Sequence, residues 1–124
     1  MTTQTNQGET MSTPKEIIVD GVTYRAVTTV TDDWVMVRSA QAGVFAGRKV
    51  SRRDTEVELA DARRIWYWAG AATLSQLATD GTSKPDDCKF PPAVPSILVL
   101  GVCEIIPMTE RAVKSINSVR EWRR

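Results

Sequence analysis

Short apolar runs bounded by turn residues, and a clean period of two over Thr55 to Ala60, predict strands between Ile17 and Gly70. Ile17 to Val27 reads as a hairpin, because Asp20-Gly21 has the preferred composition of a tight two-residue turn. Trp34-Val35-Met36-Val37-Arg38 predicts a further strand, too densely apolar for clean one-sided alternation. Ser39 to Gly43 reads as a turn. Gly43 to Val50 predicts another strand, with glycines that suggest a bulge or a close backbone approach. Ser51-Arg52-Arg53-Asp54 reads as a polar hairpin tip, after which Thr55 to Ala60 alternates with Val57 and Leu59 inward. That strand runs directly into Ala60-Asp61-Ala62-Arg63-Arg64-Ile65-Trp66-Tyr67-Trp68-Ala69-Gly70.

The period changes after Gly70. Leu74, Leu77 and Ala78 recur at helical spacing within Ala71 to Asp80, Gly81 stands where a left-handed stop belongs, and Pro85 follows. Asp86 to Pro95 holds Phe90 among three prolines and predicts an ordered irregular loop or a short edge strand. Ile97 to Ile106 is apolar on both faces, as a central strand is, and Pro107 should end it. Thr109 can cap a second helix whose stripe is Ala112, Val113, Ile116 and Val119. The expected fold is therefore α+β: a mostly antiparallel sheet with two short helices in the C-terminal half. Residues 1–14 are polar, with too little apolar surface to offset their ordering entropy, and predict a flexible tail. Residues 15–124 then form a single α+β ligand-binding domain, without internal repeat or linker.

Composition narrows the chemistry. Sixteen basic and fifteen acidic residues leave a formal net charge of +1, which argues against a general duplex-DNA or membrane binder. A small anionic ligand needs only a local cluster. There is no histidine, so general acid–base and metal chemistry lose their commonest residue. Cys88 and Cys103 lack CxxC spacing and metal partners. No hydrophobic leader or membrane-length apolar run is visible, which places the expectation in a cytosol with both thiols reduced.

The Arg/Trp run is the densest concentration of candidate chemistry, with two of the four tryptophans beside an arginine pair. As a strand it would put Arg64, Trp66 and Trp68 on one face and Arg63, Ile65 and Tyr67 on the other. A guanidinium beside two indoles suits a flat anionic ligand, since arginine pairs bidentately with phosphate and an indole stacks on a base. On the run alone, a bulky core strand whose arginines snorkel or pair with Asp61 and Glu58 is the better-supported reading. Phe90 is open between a core anchor and a stacking platform. Arg48-Lys49-Val50-Ser51-Arg52-Arg53 invites a phosphate-gripping reading, but the adjacent Asp54, Glu56 and Glu58 favour a solvated turn. The closing Arg120-Glu121-Trp122-Arg123-Arg124 repeats the indole–guanidinium pairing in miniature.

Catalysis has little support. Without histidine a Ser or Cys nucleophile has no ordinary base, and no GxxxxGK[ST] or GxGxxG loop is present. The carboxylates are scattered, so hydrolysis by a carboxylate pair ranks well below binding. No catalytic residue, metal ligand or cofactor is assigned.

The order of several short motifs carries further information. Ala42-Gly43-Val44-Phe45-Ala46-Gly47, Ala62-Arg63-Arg64-Ile65-Trp66-Tyr67-Trp68 and Leu74-Ser75-Gln76-Leu77-Ala78 come first. Asp87-Cys88-Lys89-Phe90, Glu104-Ile105-Ile106-Pro107 with Thr109-Glu110, and Val119-Arg120-Glu121-Trp122 follow. This succession, from about Trp34 to the C-terminus, resembles the phage Thoeris anti-defence proteins of the first type, sponges that sequester glycocyclic ADP-ribose. The resemblance implies a non-enzymatic immune-evasion protein of the infected bacterial cytosol. It would hold the TIR-derived signal intact, so that the defence effector is never switched on. It also implies a homo-oligomer built on a dimer, a hexamer in several members, with cyclic oligonucleotides trapped at separate sites in some.

Both lines converge on one expected ligand site, with Arg63, Arg64, Trp66, Trp68 and Phe90 first and Arg111 and Arg120 of the last helix second. The competing expectation is a phage structural or interaction protein in which Trp66, Trp68 and Trp122 form a dimer core without a small-molecule ligand.

Overall fold

The computed structural model describes residues 16–19 and 22–25 as strands and residues 29–124 throughout. The polar tail and the Asp20-Gly21 turn lie outside the described residues. The first hairpin is present as β1 (Glu16–Val19) and β2 (Val22–Arg25), paired antiparallel in a two-stranded sheet of their own. The main sheet has five strands, β3 (Val30–Ser39), β4 (Gly43–Arg53), β5 (Glu56–Arg64), β6 (Val94–Val99) and β7 (Val102–Thr109). Their order is β6-β5-β4-β3-β7, every neighbouring pair antiparallel. Two helices, α1 (Leu74–Asp80) and α2 (Glu110–Ser118), complete an α+β fold with the helices in the C-terminal half.

The expected central strand over Ile97 to Ile106 is instead two strands on opposite edges of the sheet. They are broken at Leu100-Gly101, where Gly101 takes a φ of 67° that side-chain-bearing residues resist. Because two residues separate β6 from β7, the sheet must curl until its edges meet at that corner. Register shifts in β3–β7 and β4–β5 supply the bending. Ser39 fastens the corner, donating from Oγ to the Leu100 carbonyl at 2.7 Å while accepting from the Ala42 amide at 3.1 Å. The Val102 amide donates to the Thr55 carbonyl at 2.8 Å, closing the other side.

Curling buries the inner face and the helices cover part of the outer one, which explains the dense apolar run of β3. Val35, Val37, Phe45, Val57, Leu59, Val99 and Val102 form the core inside the curl. Met36, Ala46 and Ile65 face the other way and pack with Leu74, Leu77, Phe90, Met108, Ala112 and Ile116 beneath the helices. Two boundaries also move. Ser51 to Arg53 belong to β4, leaving a tip of Asp54-Thr55 in which Asp54 adopts a φ of 59°. Pro107 lies within β7 rather than ending it, opposite Val35, which an edge strand permits because one row of amides needs no ladder partner.

The helix stops and caps follow local chemistry. Thr73 accepts from the Gln76 amide at 3.1 Å, and the Gly81 amide closes α1 on the Leu77 carbonyl at 2.9 Å. Thr109 caps α2 by accepting from the Ala112 amide at 3.1 Å, and its hydroxyl donates to the Thr79 carbonyl at 2.6 Å. One threonine therefore ends β7, starts α2 and ties α2 to α1.

Candidate functional site: an exposed indole patch

β5 ends at Arg64, and the alternation expected through Trp68 stops with it. Arg63 and Ile65 do share a face, turned toward the helices, whereas Arg64 faces the opposite way. Trp68 does not join Arg64. It is half-buried against the helix-side core, and its indole N–H donates to the Ala71 carbonyl at 3.2 Å. Arg64 donates from Nη1 to the Ala42 carbonyl at 2.8 Å, with its guanidinium carbon 4.4 Å from the centre of the Phe45 ring. It caps the inner core. The ladder with β4 runs out just beyond, its last bond being the Ile65 amide to the Val44 carbonyl at 2.8 Å, and from Tyr67 the chain pairs with Lys89 instead.

Arg63 and Phe90 are interior residues. Arg63 is 5% exposed, and its three nitrogens each donate to a carbonyl. Nε reaches Pro91 at 3.0 Å, Nη1 reaches Ile116 at 2.7 Å and Nη2 reaches Phe90 at 3.1 Å. Its guanidinium also lies 5.5 Å from the Phe90 ring, which is fully buried. Burial pushes the Arg63 pKa down, with the Glu121 charge opposing. Arginine remains protonated at neutral pH all the same. Phe90 is thus a core anchor, and neither residue presents a surface to a ligand.

Trp66 points outward, 63% exposed, and stacks on Trp122 with ring centres 6.4 Å apart and planes 8° from parallel. Tyr67 beside it is 52% exposed. The Lys89 ammonium hovers 5.9 Å from the Tyr67 ring and 5.8 Å from the Trp122 ring. Three chain segments meet to make this patch. Tyr67 and Lys89 exchange two backbone hydrogen bonds at 2.8 and 3.2 Å, and the Trp122 amide donates to the Phe90 carbonyl at 2.9 Å. Two parallel π faces with a cation between aromatic rings are suited to a planar, anionic molecule.

The remaining candidates lie apart from this constellation. Arg111 is exposed and paired with Asp80 at 2.7 Å, joining α2 to the end of α1. Arg120 is exposed just past α2. Tyr67, Lys89 and Trp122 were not among the expected site residues. The signal for Trp122 was legible in the closing Arg-Glu-Trp-Arg-Arg run, and Lys89 was adjacent to Phe90. What the sequence did not disclose is that the C-terminal segment returns to lie beside Phe90.

Residues 32–116, from Asp32 in β3 through Ile116 of α2, match the profile of a family described as a domain of unknown function, DUF6948. The chain belongs to that family. Within the DUF6948 span lie Trp66, Tyr67 and Lys89, while Trp122 falls just beyond it. No curated protein and no solved structure matches the chain. Among the described residues no helix is long and apolar enough to cross a membrane.

Proposed function

We propose that this DUF6948 protein is a non-catalytic sponge that binds a cyclic nucleotide defence signal through the Trp66–Trp122 patch and holds it intact. The stack of exposed Trp66 on half-buried Trp122 beside Lys89 carries the reading, because an accessible indole and a cation are what an adenine and a pyrophosphate require. The order of motifs along the chain, which resembles the phage Thoeris anti-defence sponges, names the ligand as glycocyclic ADP-ribose and the setting as the infected bacterial cytosol. Cyclic oligonucleotides are a second cargo, at separate sites, on the same resemblance.

Affinity constrains the architecture. A stoichiometric sponge needs about nanomolar binding, about 12 kcal/mol. Stacking supplies roughly 1–3 kcal/mol per base and a desolvated charge pair about 2–5 kcal/mol by truncation. One open patch falls short of that sum, so the ligand is enclosed between subunits of a homo-oligomer built on dimers. Exposed Arg120, two residues before Trp122, is the candidate phosphate partner in that assembly. The chain has no histidine, so turnover lacks its commonest general acid–base residue.

The competing reading is that the same indoles form a protein–protein interface with no ligand; their exposure fits that equally. Thermal melting with glycocyclic ADP-ribose in excess separates the two. A tight native-state ligand should raise Tm by more than about 10 °C. The molecule recovered after heat release should be unaltered. An unchanged Tm, or cleaved product beyond one equivalent, rules the sponge out.

A further inference from the structure

We infer that Arg63 is the positioning residue of the indole patch, acting on Trp122 through the Phe90 carbonyl. The inference rests on the patch being the ligand site, as proposed above. Trp66 is fixed to the domain through β5, but Trp122 stands on the short segment that follows α2 and reaches the patch by returning to Phe90. The Phe90 carbonyl accepts from two donors at once, Arg63 Nη2 at 3.1 Å and the Trp122 amide at 2.9 Å.

The same guanidinium takes the Ile116 carbonyl at 2.7 Å, in the last turn of α2, and the Pro91 carbonyl at 3.0 Å. It therefore joins the segment carrying Lys89 to the helix from which the Trp122 segment departs. A planar fork with donors in three directions can span three carbonyls, whereas an ammonium on a flexible stem cannot hold the same geometry. The charge of Glu121, next to Trp122, favours the protonated form of the guanidinium, although its carboxylate is itself paired with Arg123 at 2.8 Å.

This role differs from stability alone. An arginine that merely filled the core would, when replaced, lower the melting temperature and leave the patch geometry of the folded molecules unchanged. A positioning arginine, when replaced, lets Trp122 swing away from Trp66 while β3, β4 and β5 stay in place. Preorganisation of the two indoles is then lost, and affinity with it.

The test is Arg63→Lys in the full chain, with Trp122→Phe as the spectroscopic control that marks the exciton couplet of the stacked indoles in circular dichroism. Arg63→Lys should weaken the couplet, speed hydrogen exchange of the Trp122 amide relative to β5 amides, and reduce affinity for glycocyclic ADP-ribose about tenfold. A couplet and Trp122 protection equal to the parent, with affinity within about twofold, overturns the inference. Should Arg63→Lys fail to fold, the parent protein decides. Protection of the Trp122 amide comparable to β5 supports the clamp, and exchange as fast as an unstructured peptide refutes it. Trp66→Ala keeps the two readings apart: if it binds glycocyclic ADP-ribose like the parent, the patch is not the ligand site. The couplet and the exchange rates still report on Arg63.

Discussion

Trp66→Ala is the sharpest perturbation of the proposed site, because exposure separates binding from folding there. With 63% of Trp66 open to solvent, only roughly 80 Å² of it is covered, which at about 25 cal/mol per Å² stabilises the fold by about 2 kcal/mol at most. The stack on Trp122 is included in that covered area and adds about 0.5–1.5 kcal/mol beyond it. The variant should remain folded and melt within about 15 °C of the parent. Losing one stacking plane should cost about 1–3 kcal/mol of binding, roughly 5- to 150-fold in Kd. Phe90→Ala is the contrasting case. Its ring is fully buried, so truncation should cost about 3–5 kcal/mol of stability. Arg64→Ala sits between them, since its guanidinium holds the Ala42 carbonyl and covers Phe45. Calorimetry with glycocyclic ADP-ribose and a thermal melt on each variant give both quantities. Parental affinity in a well-folded Trp66→Ala protein would refute the assignment of the ligand to this patch.

Four further outcomes test the frame around the site. Gly81→Ala should destabilise by about 2–5 kcal/mol in urea unfolding, because its φ of 77° with ψ of −161° is nearly glycine's alone and a Cβ there would overlap Ser115 on α2. Gly43→Ala, with a φ of 99° and only ordinary contact with Arg64, should cost less, and the reverse ranking would refute the close approach of α1 to α2. Ser39→Ala should cost about 1–3 kcal/mol in the same assay, since the Leu100 carbonyl and the Ala42 amide lose their partner at the corner. Arg111→Ala should change stability by less than about 0.5 kcal/mol, its pair with Asp80 being solvent-exposed; a larger loss would show that the pair locks the helices.

Much of the fold was legible because its determinants are local. Gly81 and Thr109 act on backbone groups within four residues, so both helices were readable from spacing with one stop and one cap, while the Thr73 cap of α1 emerged only in the structure. The strands over residues 34–38, 43–50 and 55–60 declared themselves by alternation or by dense apolar runs. The stretch from Ile97 to Ile106 misled because its apolar residues are not all interior: Val99 and Val102 are buried inside the curl, whereas Leu98 and Leu100 are more than half exposed. Gly101 turns the chain there between two edges of the sheet.

The candidate site divides along the same line. The sequence by itself determined that aromatic and basic residues are concentrated at Arg63 to Trp68, near Lys89 and Phe90, and around Trp122, and that no histidine is available. It determined the stretches from which a site could be drawn, because side-chain chemistry is a property of each position alone, but not that Tyr67, Lys89 and Trp122 would belong to it. Only the tertiary structure decided their roles. Arg63 and Phe90 went inward because the part of the outer face that the helices cover buries whatever alternation points at them, and the guanidinium found three carbonyls there. Trp66 lies outward where the chain passes from its ladder with β4 to its pairing with Lys89, and it met Trp122 because the C-terminal segment pairs beside Phe90. That contact joins residues 56 positions apart, from 66 to 122, and long-range pairing of this kind depends on how β5, α2 and the Phe90 loop pack together, which no local pattern encodes.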